Sequence, residues 1–214
     1  MYGGDRRSFV QEARDFDSIT SHLAIWHTYD AAVKAELYST CLATVAGIYL
    51  IDPIPLQKRA LDSLLSSSRV TGIVVTNSNH RRAAAQFAQR FQGRIFAHRE
   101  TFPDDEPSRF TTIADGEEIS DGLCVIGIEG AAPGEIALHY AGDGGTLIVG
   151  DALVNFEPYG FSFLPPKYCS DEKQMRGSLQ KLLDYKAARI LFAHGTPILS
   201  SARERFKGLL NSNL

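Results

Sequence analysis

A chain of 214 residues, 44% hydrophobic and 22% charged, is long enough for one large domain with a substantial buried core. Its formal charge of −3 gives no global positive field for nucleic acid or anionic membrane, and no stretch approaches the roughly 20 apolar residues of a membrane-spanning helix. The first 18 residues lack the apolar core of a secretory signal, and Cys41, Cys124 and Cys169 form no Cys-x-x-Cys pair. Buried thiols and a reducing, cytoplasmic setting are therefore expected.

Residues 18–29 and 35–45 are rich in β-branched and aromatic residues, and Tyr29-Asp30-Ala31-Ala32 between them reads as a turn, predicting an antiparallel hairpin. Residues 47–51 form a short apolar strand ended by Asp52-Pro53. Leu56, Ala60, Leu61, Leu64 and Leu65 then recur at helical spacing, and a strand follows over 69–75. A second helix is predicted over 82–91, with Ala83, Ala84, Phe87, Ala88 and Phe91 as its buried stripe and Gly93 as its terminating glycine. Residues 94–98 are a strand, and 101–122 read as a polar loop with one or two short strands. Three strands are predicted at 124–128, 136–140 and 146–149, the last two joined by the glycine-rich turn 141–145. Residues 153–170, rich in aromatics and proline, are expected to be a loop serving as a lid or a subunit contact. A helix at 171–185 with Ser170 or Asp171 as N-cap, a strand at 188–192 and a helix at 200–210 complete the chain. Such a string buries its apolar faces as two sheets packed together with helices outside. The predicted class is α/β, a four-layer αββα sandwich in one domain over 18–214, after an N-terminal extension of 1–17.

Four segments, in this order, carry a resemblance. GIYLIDP contributes Asp52; VVTNSNHRRAAAQFAQRFQGRIFAHRE is a strand, a polar cluster, a helix and a strand; IEGAAPGEIALHYAGDGGTLIVGDAL is a strand pair followed by Gly-Asp; ILFAHGTPIL is a strand followed by His194. Together they resemble the metallo-β-lactamase superfamily over about residues 20–210. The resemblance implies the αββα sandwich of that family and, in its hydrolases, one or two metals, usually zinc, held by histidines and aspartates. Carried over position by position, the signature histidines fall on Asn77, Asn79 and Arg82, and the signature aspartate on Arg81. The histidine of the Gly-His-Thr-Pro-Gly element is placed on Ala131, the bridging aspartate on Asp151 and the last histidine on His194.

Most of these substitutions disfavour metal. An Asn amide oxygen is a weak zinc ligand, Ala131 offers no donor, and the guanidiniums of Arg81 and Arg82 stay charged and repel a dication. The expectation is that they pair with Asp151 where a metal would sit, so that no metal or other cofactor is bound. Asn77, Asn79, His80, Arg81 and Arg82 would then bind a small anion in the old cleft, or the fold would serve as an interaction module, with a homo-oligomer as a further option. Asp151 and His194 are the remnant catalytic pair. The competing reading is a hydrolase of small esters, thioesters or lactones with one zinc or iron on Asp151, His194 and His80. A third is metal-free acid–base chemistry by His194 and Asp151. The plainer reading of His80 is an exposed loop histidine, of Asp52 a turn cap, and of Trp26 core or rim.

Overall fold

The computed structural model describes residues 11–158 and 160–212. Seven strands form the first sheet, in the order of the chain: β1 (Asp17–Ser18), β2 (Leu23–Asp30), β3 (Ala35–Thr44), β4 (Gly47–Ile51), β5 (Val70–Val75), β6 (Arg94–Ala97) and β7 (Phe110–Thr112). β1 to β4 are antiparallel, whereas β4 to β7 run parallel. Those parallel steps need crossovers: α1 (Lys58–Leu64) links β4 to β5, and α2 (Ala84–Phe91) links β5 to β6.

The second sheet has five strands, in the order β14 (Arg189–Phe192), β11 (Thr146–Val149), β10 (Ile136–Tyr140), β9 (Leu123–Gly127) and β8 (Glu118–Ser120). α3 (Glu172–Leu179), extended by a 3-10 segment over Gln180–Asp184, and α4 (Ala202–Ser212) belong to this half.

The pleat sorts side chains into three apolar layers, which is what makes a four-layer sandwich. In β5, Ile73 and Val75 pack toward α1 and α2, while Val74 points the other way into the layer between the sheets. In β11, Ile148 enters that central layer, whereas Leu147 and Val149 pack toward α3 and α4. The residues between the sheets include Leu42, Tyr49, Ile51, Leu138 and Leu191. Phe206 of α4 and Met175 and Leu179 of α3 cover the far face, each at most 1% exposed.

Several boundaries differ from the sequence reading for physical reasons. The span 153–170 is not all loop: β12 (Leu153–Phe156) and β13 (Gly160–Phe163) pair as a separate antiparallel ribbon. α2 ends at Gln92, which takes the left-handed cap conformation (φ 56°) in place of Gly93. Trp26 is fully buried, its indole N–H donating to the Ile54 carbonyl, so it is core. Within the segment read as an N-terminal extension, Ala13 bridges to Leu56 and Asp17 pairs with Ile25 of β2; residues 1–10 lie outside the described residues.

Candidate active site

The site lies where strand ends from both sheets meet. Asp52 follows β4, Thr76 and Asn77 follow β5, Glu135 precedes β10, Asp151 follows β11, and His194 follows β14. β4 and β5 are parallel, as are β11 and β14, so their carboxyl ends point to one edge, and antiparallel β10 begins at that same edge. Side chains distant in sequence thereby converge at the position where open α/β sheets bind ligands.

Asp52 is the first fixed point. It is buried, with φ 47°, and its carboxylate accepts from the Thr76 amide (2.8 Å), the Thr76 hydroxyl (2.5 Å) and His80 Nδ1 (2.9 Å). It therefore does more than cap a turn. After β5 the chain makes a short 3-10 turn (Ser78–His80), capped by Asn77, whose Oδ1 accepts from the Asn79 amide at 2.8 Å. That turn swings His80 inward. His80 is 2% exposed, not an exposed loop residue.

Its Nδ1 is occupied by Asp52, so Nε2 points at Asp151 Oδ1 (3.1 Å) and His194 Nε2 (3.2 Å). His194 mirrors the arrangement. Its Nδ1 lies 3.1 Å from the carbonyl oxygen of Glu36, which can only accept, so in the neutral ring Nδ1 carries the proton and Nε2 presents a lone pair. Nε2 of His194 lies 3.3 Å from Asp151 Oδ1. His80, Asp151 and His194 thus offer three donor atoms within 4.8 Å of one another.

The other Asp151 oxygen, Oδ2, accepts from the side-chain amides of Asn79 (3.1 Å) and Asn77 (3.3 Å). The two asparagines orient the carboxylate and leave Oδ1 facing the histidines. Asn77 Nδ2 also donates to Glu135 Oε2 at 2.6 Å, and Glu135 Oε1 accepts from the Ala152 amide at 2.9 Å. A Cβ on Gly150 would come within 2.7 Å of Glu135 Oε1 and 2.8 Å of Thr76 Oγ1, so only glycine fits beneath this network.

Glu135 is the site residue that sequence reasoning missed. Ala131, the position chosen for the motif histidine, is buried in the apolar layer with α3 and presents nothing to the site. The available signal was the Pro133-Gly134-Glu135 run directly before the strand at Ile136, whose first residue hydrogen-bonds the Thr76 carbonyl.

Neither arginine fills the cleft as expected. The Arg82 backbone is left-handed (φ 33°), and its guanidinium donates to the carbonyls of Tyr38 (2.6 Å), Asp52 (3.1 Å) and Ala193 (3.4 Å). It ties β3 to the loops after β4 and β14, and among the described residues no ion pair joins it to Asp151. Arg81 lies over the Phe102 ring, 4.8 Å from its centroid.

The charges settle accordingly. Burial opposes charge on His80, but Asp151 and Asp52 outweigh it and the repulsion of Arg82, raising its pKa to about 9. Burial lowers that of His194, and the neighbouring His80 and Arg82 charges add to this against the pull of Asp151. Burial would raise the Asp151 carboxyl, yet His80 and His194 hold it well below the usual carboxylate range. Asp52 is likewise lowered, burial being overcome by His80, Arg82 and Thr76. For Glu135, burial and the adjacent Asp151 charge push the carboxyl up to about 8. Without a metal, a protonated His80 sits between two carboxylates, those of Asp52 and Asp151.

Known proteins can now be set beside this geometry. A profile of the metallo-beta-lactamase superfamily matches residues 18–213. The chain belongs to that superfamily. Among solved structures it is similar to the DIM-1 metallo-beta-lactamase, at 15% identity and TM-score 0.73, covering 95% of this chain and 99% of that one. A metallo-beta-lactamase from Pontibacter korlensis gives 16% identity and TM-score 0.71 over 92% and 98% of the two chains. A metallo-beta-lactamase family protein from Thermus thermophilus gives 21% identity and TM-score 0.66 over 92% and 80%. At these identities the likeness establishes the shared sandwich fold. No curated protein matches the chain.

Whether these residues suit the metal usual in this superfamily is answered by their spacing and chemistry. For ligand bonds of about 2.0–2.1 Å, two ligands of a tetrahedral zinc stand roughly 3.3–3.4 Å apart. The three donor separations here are 3.1, 3.2 and 3.3 Å. Two imidazole nitrogens and one carboxylate oxygen form a donor set of the kind zinc and iron accept. Each ring's far nitrogen is held by an acceptor, the outer-shell arrangement that orients metal-binding histidines. The residues fit one ion.

Proposed function

We propose that this chain is a mononuclear metal-dependent hydrolase of small esters, thioesters or lactones, with His80, Asp151 and His194 as the protein's metal ligands. The observation that carries this reading is the convergence of His80 Nε2, Asp151 Oδ1 and His194 Nε2, with the opposite nitrogen of each ring anchored by Asp52 or the Glu36 carbonyl. The metal-free anion-binding reading depended on a guanidinium filling the cleft, and Arg82 is committed to three carbonyls instead.

A single bound ion would supply Lewis acidity and make a water molecule acidic near neutral pH. The surrounding side chains prepare for that chemistry. Asp52 and Thr76 hold the His80 ring, Glu36 holds that of His194, and Asn77 and Asn79 hold Asp151. Because the two asparagine amides occupy Asp151 Oδ2, the carboxylate presents only Oδ1 as a ligand, which favours one ion over two. Glu135, its carboxyl pushed up by burial and the adjacent Asp151 charge, anchors Asn77 and the Ala152 amide behind the ligand carboxylate. The Asp151 and His194 side chains are 12% and 15% exposed, so the cluster reaches the surface at this edge.

The test is metal content by elemental analysis after zinc or iron loading and desalting, paired with a panel of aryl esters, thioesters and lactones. The expected result is a ratio near one metal per chain and turnover that a chelator abolishes. A ratio near zero after loading, or turnover untouched by the chelator, overturns the proposal.

A further inference from the structure

A cavity of about 550 Å³ lies beside α2 and shares no residue with the His80–Asp151–His194 cluster. Its size falls in the range of small-molecule sites, roughly 300–1,000 Å³. The exposed face of α2 at Ala85, the ring of Phe102 and the segment at Ser108 and Arg109 surround it. One part is apolar and the other carries two guanidiniums, those of Arg81 and Arg109.

Both arginines are held in place but not used up. Arg109 Nη1 donates to the Gln92 carbonyl (2.7 Å) and Nη2 to Gln92 Oε1 (2.8 Å), which occupies two of the five N–H donors of a guanidinium. Arg81 lies over the Phe102 ring, and its Nε is a buried donor with no hydrogen-bond partner among the described residues. Buried donors are nearly always satisfied, and a missing ligand is one standard reason for an exception. The carboxylate of Asp105 also lines the cavity, and among the described residues it forms no ion pair with either guanidinium.

We propose that this cavity binds a small organic oxyanion, a carboxylate or phosphate monoester on a compact apolar or aromatic group. The guanidiniums of Arg81 and Arg109 take the oxyanion, since planar N–H forks match carboxylate and phosphate geometry. Phe102 and the alanines of α2 take the apolar body. The inference is independent of the hydrolase reading, because it uses none of the residues assigned to the metal.

The test is an NMR titration of the metal-stripped, ¹⁵N-labelled full chain with phenyl phosphate, benzoate and neutral benzyl alcohol at low salt. The expected result is saturable amide shifts confined to residues 81–92 and 102–110 for one or both anions, with no saturable shift for the alcohol. Comparing the two anions shows whether phosphate or carboxylate is preferred. Arg81→Gln and Arg109→Gln should each weaken binding about tenfold or more, as loss of a hydrogen bond to a charged group does. Ala85→Trp adds bulk at an exposed position without removing any packed group, so it should block binding with the thermal midpoint unchanged. The inference is overturned by equal binding of the alcohol, by shifts centred on His80 and His194, or by anion binding that survives both the double arginine variant and Ala85→Trp.

Discussion

Replacing Asp52 with Asn is the most incisive perturbation of the site, because it preserves shape and changes only which atoms carry hydrogen. In the native site Oδ1 accepts from the Thr76 amide, and Oδ2 accepts from the Thr76 hydroxyl and from His80 Nδ1. The introduced asparagine would keep its oxygen on the Thr76 amide, since that N–H can only donate. Its Nδ2 would then face the Thr76 hydroxyl and His80 Nδ1 with hydrogens. Facing those hydrogens, the ring becomes an acceptor at Nδ1, which moves its proton to Nε2, the atom aimed at Asp151 and His194; the Thr76 hydroxyl, 2.9 Å from Nδ1, is the competing acceptor that would keep the proton in place. The lone pair that would hold the metal is lost without any ligand being mutated.

Outer-shell changes of this kind cost about 10–100-fold in metal affinity, or about 1.4–2.7 kcal/mol. The variant also exchanges two hydrogen bonds to a buried carboxylate for weaker ones, so stability should fall by about 2–4 kcal/mol. For a chain of this size that lowers the thermal midpoint by roughly 2–4 °C per kcal/mol. Zinc affinity by chelator competition, with the His80 tautomer read from imidazole ¹⁵N shifts, is the assay. Wild-type zinc affinity in a folded Asp52→Asn protein would refute the reasoning that Asp52 sets the ring's lone pair.

Four further outcomes are expected. His80→Ala and His194→Ala should each reduce bound zinc from about one per chain to near zero after desalting; retention in either removes that residue from the ligand set. Arg82→Gln should destabilise the fold by about 2–5 kcal/mol, because partly buried carbonyls at Tyr38 and Asp52 lose their donor. Chemical denaturation measures this, and a change below about 0.5 kcal/mol would deny Arg82 its tying role. Gly150→Ala forces a methyl against Glu135 Oε1 and Thr76 Oγ1, so it should cost both stability and metal affinity, whereas Gly208→Ala, which meets nothing within 4 Å, should leave metal affinity intact.

The last outcome concerns metal-stripped protein and pH. Asp52 and Asp151 have lowered pKa values, so their stabilisation is present above the ordinary carboxylate range and lost as pH falls through their folded values. His80 (6.5 raised to about 9) and Glu135 (4.5 raised to about 8) contribute stability that is full below their ordinary values and lost as pH rises through the folded ones. The thermal midpoint should therefore decline on both sides, the alkaline limb flattening over about pH 6.5–9 in His80→Gln. An unchanged alkaline limb in that variant would show that His80 is not held charged between Asp52 and Asp151.

Much of the scaffold was legible because strands with one clear apolar period announce themselves. Ile136–Tyr140 and Thr146–Val149 were read to the residue, and the three apolar layers follow from alternation in β5, β11 and β14. The ribbon β12–β13 was missed because Pro158, Gly160 and a run of aromatics look like loop composition, and a two-stranded pairing has no long-range sequence signal. Asp151 and His194 were placed by the family resemblance, through the Gly-Asp after one strand and the Ala-His-Gly after another, and the structure sets the two side chains 3.3 Å apart. His80 was the harder case. Its inward turn depends on the Asn77 cap and on the left-handed backbone at Arg82, and a position-by-position carry-over cannot register either. Arginine beside a former metal position suggested a blocking ion pair, but the three carbonyls that Arg82 satisfies come from segments far apart in the chain. Glu135 was lost to a placement four residues too early on Ala131, within a segment too short to fix its own register.

The hydrogen bond from His194 Nδ1 to the Glu36 carbonyl joins groups 158 positions apart, and the His80–His194 contact spans 114. Neither can form until both sheets are built and docked, and closures that long come late and slowly in folding. The proposed ligand set is thus a property of the finished sandwich. A chain with only its first sheet in place would carry His80 and Asp52 but neither Asp151 nor His194. During synthesis the polypeptide would have little means of capturing a stray ion in a wrong partnership. An ion held by the proposed ligand set would bind only the completed fold and would lend it stability by mass action.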